Sequence, residues 1–247
     1  MRPENDAVDD LTLSDAELIT ALKNHGVSRR LLMKVFGAGA ALSVFGGTAA
    51  ALPDSRQGMK IDDTYGAPYS ADDNVPAGLV DHTVTLHIHE GAGDHPDFPL
   101  DENGEEIPVE TFFDPVGLHV RPGEVVNFTD HNGLHTVTSF HPKFSEPPFF
   151  TLPDRVATNY GFTSPPMSTD DSWLYRFTTQ GVYDILCLPH LELGMVVRIV
   201  VSGDGNVPAD TYGPLPIPNA GDVLGAPELT PENIVSEGSV AWEDLTL

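Results

Sequence analysis

Cationic side chains are scarce in this chain of 247 residues: 12 Lys and Arg face 37 Asp and Glu, for a net charge of −25. The imbalance is uneven. Residues 1–51 hold six acids and five bases, which leaves thirty-one acids against seven bases, a net −24, for residues 52–247. A surface of that sign repels phosphate backbones and anionic headgroups, so nucleic acid is excluded as a partner. It suits solubility in concentrated salt, where screening suppresses self-repulsion, and it also offers an acidic docking face. Cysteine is nearly absent. Cys187 is the single thiol, which rules out an intrachain disulfide framework and leaves a reactive atom that something has to hold. Long helical periodicities are missing beyond the N-terminal region. With 23 Gly and 22 Pro the chain must turn often, while 40% hydrophobic residues suffice for a packed core.

The first eighty residues read as an address and a connector. In the extension 1–27, Ser14-Asp15-Ala16-Glu17 has capping-box spacing ahead of Leu18, Ile19 and Leu22, which predicts a short helix over 14–25. Ser28-Arg29-Arg30-Leu31-Leu32-Met33-Lys34 precedes an uncharged run that begins at Val35 and ends at Leu52, with Ala49-Ala50-Ala51 as a small-residue cleavage site. Residues 28–51 thus read as a twin-arginine export signal, either cut or kept as a membrane anchor. In both cases Arg29, Arg30 and Lys34 hold the N-terminal side in the cytoplasm. The remainder is expected at the extracellular face of the cytoplasmic membrane, anchored or secreted. Residues 52–80, rich in Asp, Gly, Pro and Ser, read as a linker.

The texture changes at residue 81. Short runs rich in Val, Thr, Phe and Tyr cover 82–89, 116–120, 124–129, 135–140, 172–178, 181–187 and 195–202, punctuated by turns such as Pro122-Gly123 and Gln180-Gly181. Residues 81–203 are therefore expected to form an all-β domain, an antiparallel sandwich of roughly seven or eight strands. The Pro-rich stretch 142–171 is expected as a long loop, and residues 204–247 as an extended wrap or tail with a brief helix starting at Thr230-Pro231-Glu232.

Within that domain the lone cysteine finds a purpose. Cys187, His190 and Met195 place a thiolate, an imidazole and a thioether within nine residues, at the end of one strand and in the loop after it. One further imidazole from another strand completes a trigonal sulfur–nitrogen–nitrogen set with a distant second sulfur, an environment both copper oxidation states accept. His135 opens the strand best placed to supply it; His131 and His141, four and six residues away, are the weaker candidates, and His119 reads as an ordinary strand residue. Leu188, Leu191 and Leu193 either form an apolar collar around His190 or cap the core. His87 and His89 share a strand face and could grip a second metal with His95, Glu90 or Asp94. The plainer reading is two solvated or hydrogen-bonded rings.

Cys187-x2-His190-x4-Met195, with Gly181-x-Tyr183 before it and Pro122-Gly123-Glu124-Val125-Val126-Asn127-Phe128 upstream, resembles the plastocyanin/halocyanin group of cupredoxins over residues 81–203. The resemblance implies a Greek-key sandwich holding one type 1 (blue) copper per chain, with His135, Cys187, His190 and Met195 as ligands. It also implies an electron carrier that exchanges single electrons with protein partners, membrane respiratory components among them, in a halophilic setting. Three departures stand out: the 52-residue interval from His135 to Cys187, Thr136 where many relatives have Asn, and Leu186 where Tyr or Phe is common before the cysteine. The alternative is a copper-dependent oxidoreductase, resembling nitrite reductases or oxidases, with a second metal at His87 and His89. Oxidases wire their copper through histidines flanking the cysteine, and here Leu186 and Leu188 stand in those places.

Overall fold

The computed structural model describes residues 61–90, 109–147, 150–203 and 206–247. The export signal 28–51, the helix expected over 14–25, Asp94 and His95 lie outside them. Strands form where β-branched and aromatic residues alternate, because one set of side chains can then be buried while the other meets a second layer. They are β1 (Ala67–Tyr69), β2 (His82–Glu90), β3 (Val109–Asp114), β4 (Gly117–Val120), β5 (Val125–Asp130), β6 (Leu134–His135), β7 (Thr138–Ser139), β8 (Met167–Ser168), β9 (Ser172–Arg176), β10 (Gly181–Leu186), β11 (Val196–Val201) and β12 (Ser239–Val240). One sheet has the order β1-β9-β5-β2-β3 and the other β12-β4-β11-β10-β7, while β6 and β8 pair by themselves.

The sandwich is the expected one, with two corrections. β2 with β5 and β4 with β11 run parallel, so the sheets are mixed rather than antiparallel throughout. Parallel neighbours need long crossovers, and here those crossovers pass between the sheets, as a Greek key requires. The second correction concerns the connector. Residues 61–80 are packed, not a linker: Ile61 and Leu79 bury against Val125 and Leu174 on the outside of the first sheet, and β1 extends that sheet by pairing with β9. Two buried apolar anchors in a polar stretch were enough to fix it.

Val84, Leu86, Phe113, Phe128, Trp173, Tyr175, Tyr183, Ile185, Val197 and Ile199 fill the space between the sheets. Phe162, from the long 142–171 segment, stacks on Tyr175 at 4.3 Å between ring centroids. Val156 and Met167 of the same segment join this core, so the segment is part of the sandwich wall. Outside the second sheet lies another apolar layer. Beyond residue 206 the chain is extended at first and then coils into α1 (Pro218–Gly225) and α2 (Pro231–Glu237), the latter capped by Thr230 as expected. Val223, Leu224, Leu229 and Ile234 from this wrap cover Val116, Leu186, Leu188, Val196 and Val200. Among the described residues no helix is long and apolar enough to cross a membrane.

A buried ionic triad fastens the wrap to β10. Asp184, on the outer face and fully buried, accepts from Arg155 Nε at 2.7 Å and from Arg198 Nε at 2.8 Å. Arg155 also donates to the Gly213 carbonyl, and Arg198 to the Leu229 carbonyl at 2.9 Å, so both guanidinium groups reach the C-terminal segment. Without that carboxylate Arg155 is left buried and uncompensated, and Arg198 keeps only Asp210, at 3.2 Å, which is costly. The substitution Asp184→Asn should therefore lower unfolding stability by about 3–5 kcal/mol; chemical denaturation checks it, with a change under about 1 kcal/mol contradicting the role assigned to the triad.

Candidate metal centre

The site lies where β10 ends. Alternation sends Tyr183, Ile185 and Cys187 inward and turns Leu186 and Leu188 to the outer layer. Cys187 is also the residue from which the 3-10 turn Leu188–Leu193 starts, with Pro189 inside its first positions. Gly194 ends that turn at φ +87°, a left-handed conformation where a Cβ would also crowd the Asn219 backbone at 3.2 Å. Three hydrogen bonds close the reversal: Gly194 N–H to the Leu191 carbonyl (3.1 Å), Met195 N–H to the His190 carbonyl (3.2 Å) and Cys187 N–H to the Met195 carbonyl (3.0 Å). One short loop thus holds Cys187, His190 and Met195 by its backbone. Asn219 of α1 donates to the Glu192 carbonyl and braces the loop from outside.

His135 arrives from the opposite direction. Asn132 clasps β2, its Oδ1 accepting from Ile88 N–H at 2.8 Å and its Nδ2 donating to the Ile88 carbonyl at 2.7 Å. Gly133 follows at φ +104°, where a Cβ would collide with the Ile88 side chain and press on His135 Nε2. The chain then delivers His135, fully buried, with Nε2 2.8 Å from the Asn132 carbonyl. A carbonyl only accepts, so Nε2 carries the proton and Nδ1 offers its lone pair inward. Cys187 Sγ is 3.6 Å from that Nδ1 and 3.4 Å from His190 Nδ1. One donor atom from each of His135, Cys187 and His190 lies within 4.8 Å of the other two, and no further such group of three occurs among the described residues. The side chain of Met195 is fully buried in the same core as Cys187.

Electrostatics prepare the donors differently. Burial pushes the Cys187 thiol up to about 12, against the pull of the Thr136 and His190 backbone. It pushes the His135 imidazole down to about 4, so that ring is neutral at ordinary pH. Burial and then the Asp171 carboxylate raise the Asp130 carboxyl to about 8 despite the Asn132 backbone, and its charge bears on the Cys187 thiol. A sulfur that is hard to ionise alone, flanked by two imidazole nitrogens and sealed from water, fits a thiophilic cation that displaces the thiol proton on binding.

The departures at Thr136 and Leu186 have structural counterparts. Thr136 donates its backbone N–H to Cys187 Sγ at 3.4 Å, a bond no side-chain change removes. Its hydroxyl accepts from Leu188 N–H at 2.9 Å and so ties the His135 strand to the cysteine loop. Leu186 is buried in the outer layer. The surplus of the long interval is the wall segment described above. Of the competing histidines, His141 caps the 3-10 turn Pro142–Phe144 by accepting from Lys143 N–H, and His119 bonds the Ser202 hydroxyl at 2.9 Å. His131 is exposed, as its turn suggested. Leu188 and Leu191 are buried in the outer layer and Leu193 is half-buried, so the leucines cap the core and form no collar. Sequence reasoning missed Asn132, whose only signal is the Asn-Gly turn, and the Thr136 hydroxyl, whose partner lies 52 residues away.

No protein-family profile matches the chain, and no curated protein matches it. Solved structures do resemble it. An oxidised amicyanin mutant is similar at 18% identity over 57% of this chain and 94% of that chain, with a TM-score of 0.36. A second amicyanin mutant, in a reduced Cu(I) form at pH 4, shows 19% identity over 55% of this chain and 92% of that chain (TM-score 0.33). A purple cupredoxin from Nitrosopumilus maritimus shows 21% identity over 49% of this chain and 100% of that chain (TM-score 0.31). From its own strand order and donor geometry, the chain is a cupredoxin-like β-sandwich whose His135, Cys187 and His190 cluster fits a type 1 copper site.

Proposed function

We propose that the protein is a blue copper electron carrier acting outside the cytoplasmic membrane, with one type 1 copper per chain held by His135, Cys187 and His190 and more weakly by the Met195 thioether. The observation that carries this reading is the approach of two imidazole Nδ1 atoms to one buried thiol, at 3.6 and 3.4 Å. Copper bound there supplies one-electron cycling between Cu(I) and Cu(II). The protein's own residues supply the rest. Backbone hydrogen bonds fix the donors in advance, so little has to move between oxidation states. His135 is sealed, whereas His190 is half-buried and is the ring through which the site meets the surface. Leu186 and Leu188, buried in apolar surroundings on either side of Cys187, offer no path to a further catalytic cluster, which favours a carrier over an oxidase.

The twin-arginine signal supports export to the extracellular face, anchored or secreted, and the −25 charge supports a protein redox partner with a basic docking patch. Electron-transfer contacts of this kind are small, below about 1,200 Å² in total. A membrane respiratory component is the partner class this location favours.

The copper-loaded protein should show the intense visible absorption of a copper–thiolate bond, and Cys187→Ala should abolish it; a band that survives the substitution contradicts the assignment. With Met195→Gln, copper should stay and the reduction potential should fall, because an oxygen donor favours Cu(II); voltammetry showing an unchanged potential removes Met195 from the axial position. Copper uptake at pH 7 should release at least about one proton per ion, since the thiol near 12 is protonated, while His135 near 4 adds none there. The release should rise as the pH falls toward about 4, because His135 becomes protonated in the metal-free protein. Calorimetry in buffers of different ionisation enthalpy measures this count, and no release at pH 7 would contradict a thiolate ligand.

A further inference from the structure

β2 carries a histidine that the copper centre does not use. Val84 and Leu86 of that strand point into the core, so alternation turns His87 to the outer face of the sheet. The parallel register sets Leu86 beside Asp130, and the His131 N–H continues the pairing by donating to the Leu86 carbonyl at 2.9 Å. His87 and His131 are thereby lateral neighbours, their ring centroids 5.0 Å apart and their planes inclined at 49°. The two rings of the copper cluster are 4.9 Å apart and inclined at 63°. The ring separation of the copper cluster thus recurs at a second pair of histidines.

We infer that His87 and His131 form a second metal site, for a divalent ion of borderline softness such as Zn²⁺ or Cu²⁺, with water completing the coordination shell. The His87 ring is held in place for this task. It stacks on Phe112 at 4.9 Å and 18°, and Phe112 stacks on Trp242 at 5.2 Å and 12°. The Trp242 indole N–H donates to the Glu110 carboxylate, and its backbone N–H to Asp114 Oδ1 at 3.0 Å. Such packing removes the rotamer freedom that a solvated histidine would lose on binding. His131 is exposed on its turn, so an ion reaches the pair from solvent, and the chain's negative charge raises the local cation concentration.

This site uses no ligand of the copper centre, and the experiment keeps the two apart. Copper-loaded wild type and His131→Ala are dialysed against Zn²⁺ and analysed for both metals. His131 sits on an exposed turn and its ring supports no core packing, so the variant should fold and keep the copper–thiolate band. Wild type should hold one more Zn²⁺ per chain than His131→Ala, whose affinity for that ion should be weaker by more than about 100-fold, beyond what loss of a supporting contact costs. His87→Gln should lose the same ion. Equal zinc content in wild type and His131→Ala overturns the site. If the buried centre takes no copper, the same comparison is made in a Cys187→Ala background, where the outcome reads on His87 and His131 alone.

Discussion

The geometry of the proposed copper centre converges on one sulfur atom. Cys187 Sγ meets two imidazole nitrogens and the Thr136 backbone N–H in a pocket closed to water. None of these contacts is worth much alone in a metal-free protein, because a neutral thiol is a poor hydrogen-bonding group. Their value lies in being fixed beforehand. A cation that displaces the thiol proton finds its donors already oriented, and the tautomer of His135 already chosen by the Asn132 carbonyl.

The surrounding architecture explains why that fixing is possible. The cysteine loop is a reversal between β10 and β11, closed by its own backbone and braced by α1 through Asn219. The His135 turn is clasped to β2 by Asn132. The Thr136 hydroxyl joins these two parts to one another. Behind them, the Asp184 triad binds the wall segment, the second sheet and the C-terminal wrap into a unit. A sandwich of this size has few residues with which to build a rigid site. This chain adds rigidity by covering the outside of both sheets.

How far the sequence reached follows from which signals are local. Cys187, His190 and Met195 share a short loop, so their spacing pointed to the site once joined to the upstream His135 and the Pro122-Gly123-Glu124 turn, and the long strands β2, β5, β10 and β11 were legible from alternation. The short strands β1, β8 and β12 were not, since two or three residues carry no period and owe their pairing to tertiary contact. The connector 61–80 misled because its composition is polar, while Ile61 and Leu79 suffice to bind it. The leucines after Cys187 could not be assigned a face without knowing that the C-terminal wrap covers that side. His131 read correctly as an outward turn residue, yet its pairing with His87 depends on a parallel register between residues 44 apart, which no local pattern encodes.

X-ray absorption at the copper edge, recorded on the loaded protein in both oxidation states, tests the central claim most directly. The account predicts one short copper–sulfur distance and two imidazole nitrogens in the oxidised form, hardly changed after reduction. An ion surrounded by nitrogen and oxygen alone, or a shell that reorganises when the electron arrives, would contradict it.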